Sequence, residues 1–236
     1  MTDHTTKHHV AGEERTTKSK VLETGAALTQ DFAPVKSICA HLNAFHVYAD
    51  DPKRFKVITA ATQLSHTNDI SPSADHVTIL DVRQCILYDS PNPGARLIGI
   101  EYMISPKLYE SLDTDERKLW HSHVFEVKSG MLIMPQPSQL VPQAAWEKAE
   151  TAEMEDVVEL YGKVYHLWQV DKGHKIPLGE PKLMTSFTEA EQMPDFEKAV
   201  GERDSRFGGV DWRRKKEIRE HIKEPFIHPD ADATWN

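Results

Sequence analysis

Long hydrophobic runs are missing from this chain. Its apolar stretches fall far short of the roughly 20 residues that cross a bilayer as a helix, so no transmembrane segment is expected. Cysteine is scarce: Cys39 and Cys85 are the only two in 236 residues. That excludes a disulfide-framed secreted fold and predicts a reducing compartment, with the thiols buried rather than bridged. The opening residues, Met1 to Lys20, are polar throughout and lack the apolar core of a secretory signal. Positive charge is also in deficit. With 28 Lys and Arg against 37 Asp and Glu, the formal net charge is −9. Nucleic acid, which needs clustered cations for its phosphates, is excluded as a partner. No glycine-rich phosphate loop, serine-centred elbow or paired CxxC motif is present. These absences leave a soluble, cytoplasmic protein.

Hydrophobic residues make up 39% of the chain, enough for one core. The predicted fold is α+β: a single domain with a mostly antiparallel sheet flanked by helices and a disordered N-terminal tail. The tail spans residues 1–20, the domain 21–210, and a C-terminal helix and tail 211–236. His4, His8 and His9 in the tail read as solvated. A short helix is predicted over Val21 to Thr29. Ile38, Leu42, Phe45 and Ala49 recur at three and four residues, which predicts a helix from Val35 to Asp50 that ends before Pro52. Phe55 to Ala61 reads as a strand, and Ser65 to His76 as a loop. The clearest hairpin joins Val82–Tyr88 to a return strand in which Ile98, Ile100, Tyr102 and Ile104 alternate.

Short helices follow over Leu108–Leu112 and Asp113–Trp120, the second capped by Asp113 with Glu116 three residues on. Glu126 to Met134 reads as a strand. Ala145 to Tyr161 reads as a helix stopped by Gly162. Val164 to Val170 is apolar on both faces and is predicted to be a central strand. A last strand is expected around Leu183 to Phe187, and a helix over Asp195 to Phe207. Asp211 caps a final helix whose basic run, Arg213 to Arg219, reads as a solvated face.

The most informative block is Trp120-His121-Ser122-His123-Val124-Phe125-Glu126. In an extended chain His121 and His123 project to one side. Two converging imidazoles can hold a metal or share a proton. Three protein ligands with one open position typify catalytic zinc or iron sites. Glu126 would face away on a regular strand and would need a bend to join them. His166, in another strand-like run, is therefore the preferred third metal ligand beside His121 and His123. Glu101, mid-strand on the face opposite the isoleucine stripe, is a candidate general base, with an exposed outer face as the alternative. Catalytic candidates are thus His121, His123 and Glu101. Trp120, Tyr102 and Trp168 are candidates to line an apolar ligand cavity. His41 and His46 read as core or surface histidines that could join a pocket. Cys85 reads as packed.

Several blocks together resemble the oil body-associated protein family. They are Pro34-Val35-Lys36-Ser37-Ile38-Cys39-Ala40-His41-Leu42-Asn43-Ala44-Phe45-His46-Val47-Tyr48, then Gln84 to Ser90, Arg96 to Ser105, Leu119 to His123 and Glu126 to Gly130. Tyr161-Gly162-Lys163, Trp168 to Asp171 and Pro177-Leu178-Gly179 complete the set. The resemblance runs from about Pro34 to Phe207 and identifies a divergent, fungal- or plant-type member. It implies association with seed oil bodies and lipid storage, without a defined catalytic mechanism. Any droplet contact is implied to be peripheral, since the chain lacks a long apolar hairpin. One departure stands out. Where the family carries a compact segment with Glu, paired His, an aromatic and Cys, this chain reads Val57 to His66, followed by an inserted loop through Leu80. Only His66 matches, which implies that a family site there is remodelled or lost.

Two functions follow as expectations. One is a peripheral factor that binds a lipid-droplet surface or a small apolar ligand. The other is a small-molecule enzyme with a His-centred site, with or without zinc or iron as cofactor, for example in secondary metabolism.

Overall fold

A computed structural model describes residues 16–30, 38–52, 58–66, 82–137, 140–208 and 210–236, with the backbone alone for 58–66. The expected disordered tail falls on residues outside this description up to residue 15. The helix predicted from Val21 begins earlier, as α1 (Thr17–Thr29), capped by the Thr16 hydroxyl and burying no residue. The loop expected over 65–76 also lies outside, apart from its first two residues.

Among the described residues seven strands form one sheet: β1 (Ile38–Tyr48), β2 (Ile58–His66), β3 (Val82–Tyr88), β4 (Leu97–Ile104), β5 (His121–Ser122), β6 (Tyr161–His166) and β7 (Lys182–Thr185). Their order is β4-β3-β2-β1-β7-β6-β5, and β4 pairs with β6 as well, so the sheet curls round on itself. Every pairing in it is antiparallel. The flanking helices are α2 (Pro106–Glu110), α3 (Thr114–Arg117), α4 (Val124–Lys128), α5 (Gln143–Val157), α6 (Phe196–Arg206) and α7 (Trp212–Ile218). This is the α+β architecture the sequence predicts.

Several expectations about single elements are corrected. The helix predicted over Val35–Asp50 is strand β1. Residues Leu42 to Tyr48 are all buried, and a strand covered on both faces carries apolar groups at any spacing, including three and four. The strand predicted over Glu126–Met134 is not formed: its first residues belong to the helical turn α4, followed by Gly130 at φ 77°, and Ile133 makes an isolated antiparallel bridge to Asn43. Helix α5 stops at Val157, and Tyr161 and Gly162 belong to β6. Its buried face, Glu150, Met154 and Val157, has the predicted helical spacing.

The main core joins Leu42, Leu87, Ile98, Val164 and Met184 of the sheet to Val127, Met154 and Val157 of the helices. The final helix is a solvated basic face only in part, at Arg213, Arg214 and Lys216. Lys215 and Arg219 are buried, and both pair with Glu150 of α5, Arg219 Nη2 at 3.0 Å from Glu150 Oε1. No disulfide joins Cys39 and Cys85; Cys85 is buried as expected, whereas Cys39 is exposed.

Candidate functional site

Glu101 sits at the middle of β4, between Cys85 of β3 and Val164 of β6. Its side chain is 2% exposed, so the outer-face alternative fails. The face that holds Glu101 turns inward, and Tyr102 beside it is exposed. Strand β5 contributes His121. It is only two residues long and pairs with Tyr161 and Gly162 of β6. At His123 the backbone leaves the strand (φ −99°, ψ 4°) and enters α4. That turn supplies the bend Glu126 needs: its Oε2 stands 3.9 Å from His123 Nε2.

Glu101 Oε1 lies 3.6 Å from His121 Nε2 and 3.5 Å from His123 Nε2. One ligand atom from each of these three residues falls within 4.8 Å of the others. The missing side chain of Gly162 makes the space. A Cβ there would stand 2.6 Å from Glu101 Oε1, 2.8 Å from His123 Cε1 and 2.9 Å from His121 Cε1. Gly162 thus serves as the floor of the cluster rather than as a helix stop.

His166 is buried but does not reach the trio as its third ligand. Its Nε2 lies 3.3 Å from Nδ1 of His46, whose ring is 6.4 Å from that of His121. His46 therefore joins the pocket through β1, whereas His41 packs near Phe207. His66 ends β2, where only the backbone is described.

Burial sets the electrostatics. It drives His121 well below the usual imidazole range, helped by His123 and His46. Burial also holds His46 at about 4, against the charge of Glu101, and His166 at about 3. At His123 burial is outweighed by Glu101, Glu126 and the Leu160 carbonyl, which lift it to about 9. Burial raises Glu126 to about 7, opposed by His123. Glu126 can therefore exchange a proton near neutrality, and Glu101, His121 and His123 can share a proton or hold a metal.

A residue that sequence reasoning missed holds the block in place. Asp232 accepts from both the backbone N–H and the hydroxyl of Ser122, between the two histidines. Nothing in the local pattern signals a partner 110 residues away. The three aromatic candidates are not gathered around one cavity. Trp120 packs with Ile104, Tyr109 and Tyr161, Trp168 belongs to the main core, and Tyr102 faces outward.

A family model described as a protein of unknown function (DUF1264) matches residues 32–223. Oil body-associated protein 1B of Arabidopsis thaliana is 40% identical, over 95% of this chain and 84% of its own. Oil body-associated protein 1A of Zea mays is 38% identical, over 95% and 85%. Oil body-associated protein 2A of Zea mays is 38% identical, over 95% and 81%. No solved structure matches the chain. The chain belongs to the oil body-associated protein family.

Proposed function

We propose, from that membership, that the chain is a peripheral lipid-droplet protein acting from the cytoplasmic side, through its surface rather than through an enclosed ligand cavity. The observation that carries this reading is the likeness to oil body-associated proteins along 95% of the chain. Among the described residues no helix is long and apolar enough to cross a membrane, so attachment is read as superficial. The scattered positions of Trp120, Tyr102 and Trp168 also favour a surface contact over an internal one.

A candidate contact lies at one end of the sheet. Leu167 N–H donates to the Ile98 carbonyl, and Leu167 and Leu97, at this end of the β4–β6 pair, are both exposed. The indole of Trp168 donates to the His174 carbonyl and tethers the loop that carries exposed Ile176 and Leu178. Lys172 and Lys175 flank this loop. Exposed aliphatic tips with two lysines beside them, and Asp171 and Glu180 at the ends of the segment, suit the headgroup boundary of a phospholipid monolayer. Flotation with triolein droplets coated in phosphatidylcholine and phosphatidylserine tests the reading. Wild type rises with the droplets and Ile176→Asp with Leu178→Asp stays below; a wild-type protein left wholly in the aqueous layer defeats it.

A second reading, a small-molecule enzyme, draws on Glu126, whose proton is exchangeable near neutrality beside His123. It needs the cluster to open, because none of Glu101, His121, His123 and Glu126 is more than 2% exposed. Rapid modification of His123 by diethyl pyrocarbonate in the folded protein would favour it; full protection supports the first reading.

A further inference from the structure

We propose that Glu101, His121 and His123 form a buried site for one divalent first-row transition ion, zinc or ferrous iron. This goes beyond droplet attachment and does not depend on it.

The spacing is the first argument. A charge-assisted hydrogen bond between these groups would measure about 2.7–2.9 Å. Glu101 Oε1 instead stands 3.5 and 3.6 Å from the two imidazole nitrogens. Two donors each about 2.1 Å from a tetrahedral ion stand roughly 3.4 Å apart. The trio is therefore spaced as ligands sharing an ion.

The second argument is the direction of the lone pairs. His123 Nδ1 lies 2.9 Å from the Leu160 carbonyl, which can only accept, so Nδ1 carries a proton there. In the neutral ring Nε2 then presents its lone pair to Glu101. A metal-bound imidazole is commonly held this way, with its other N–H on a backbone carbonyl.

Unmet polarity is the third. Among the described residues Glu101 Oε1, both ring nitrogens of His121 and Glu126 Oε1 have no hydrogen-bond partner, although all are buried. Buried polar atoms without partners are costly and call for an explanation. A dication at the cluster gives Glu101 Oε1 and His121 Nε2 a partner and offsets the buried carboxylate charge.

Imidazole nitrogens mixed with carboxylate favour zinc or ferrous iron over calcium or magnesium, which take oxygen donors. Burial on every side matches a structural centre more than a catalytic one with an open position. The ion would tie β4, β5 and α4 together beneath Gly162.

The full chain, purified without chelator, is tested by elemental analysis and by melting temperature before and after chelation. About one zinc or iron per chain is expected, with a lower melting temperature after removal. The cobalt-loaded protein should show the visible bands of tetrahedral coordination. A variant with His4, His8 and His9 all changed to Ala retains the ion. Glu101→Gln and Gly162→Ala, each checked for folding by circular dichroism, bind zinc at least about tenfold more weakly. The proposal is overturned if folded wild type takes up neither zinc nor ferrous iron when supplied. Equal binding by folded Glu101→Gln, or loss of the ion in the tail variant, overturns it as well.

Discussion

Asp232 and Ser122 are joined twice: the carboxylate accepts from the Ser122 N–H and from its hydroxyl, both at 2.8 Å. Ser122 lies between His121 and His123, so a residue four places from the end of the sequence fixes the short strand that aims both imidazoles. Asp232 itself is buried, with a positive φ of 56°, and its N–H donates to the Trp120 carbonyl. Replacing it strands two donors in the interior. Asp232→Ala should therefore cost about 1.5–3 kcal/mol in urea unfolding, and Asp232→Asn less, since the amide oxygen still accepts. Equal losses in the two variants would argue against the hydrogen bonds as the cause.

The buried charges of the C-terminal helix make a separate prediction. Glu150 faces both Lys215 and Arg219, and Arg219 also donates to the carbonyls of Val127 and Leu132. Glu150→Ala leaves two cations in the interior with no counter-charge, for a loss of about 3–5 kcal/mol. Arg214 of the same helix is half exposed and makes a bidentate pair with Glu147 of α5, and Arg214→Ala should cost no more than about 1 kcal/mol. Comparable destabilisation by the two changes would contradict this division between buried and exposed pairs.

The sequence discloses some of this more readily than the rest, for physical reasons. The hairpin of β3 and β4 is legible because its alternation and its Pro-Asn-Pro-Gly turn agree. Strand β1 is not, since burial on both faces erases the period of two and leaves a false helical stripe. His121 and His123 were visible as a pair, but their meeting with Glu101 depends on β4 and β5 both flanking β6, a pairing of distant segments. Glu126 reaches the cluster only because the chain turns at His123. The meeting of His46 with His166 is not legible, because the helical reading takes β1 out of the sheet. The burial of Arg219 was hidden by its basic neighbours, whose side chains Arg213 and Arg214 are indeed exposed.

The aromatic candidates separate by burial, and substitution should show it. Trp120 is 6% exposed, donates to Glu116 and lies under the Lys163 ammonium, 4.9 Å from the ring. Trp120→Ala should cost about 3–5 kcal/mol through the cavity it leaves. Tyr102, which is 40% exposed, should tolerate serine within about 0.5 kcal/mol. Thermal and urea unfolding of the two variants give the comparison. A large loss for Tyr102→Ser would mean that its ring is covered in solution.

His166 links the buried pocket to acid stability. In the folded protein burial holds it at about 3, whereas in the unfolded chain it titrates near the ordinary 6.5. A base with a depressed folded value takes up its proton first in the unfolded state. Its contribution is therefore favourable above about pH 6.5 and is lost as pH falls toward about 3, at up to roughly 1.4 kcal/mol per pH unit. His46, held at about 4, adds to the same window. His166→Gln keeps an amide beside His46 Nδ1 and removes one titrating group. Urea unfolding at about pH 7, pH 6 and pH 5 should then give a shallower decline for the variant than for wild type, by close to one proton's worth of slope. Parallel declines would show that His166 is protonated in the folded state and that its surroundings are wetter than its burial implies.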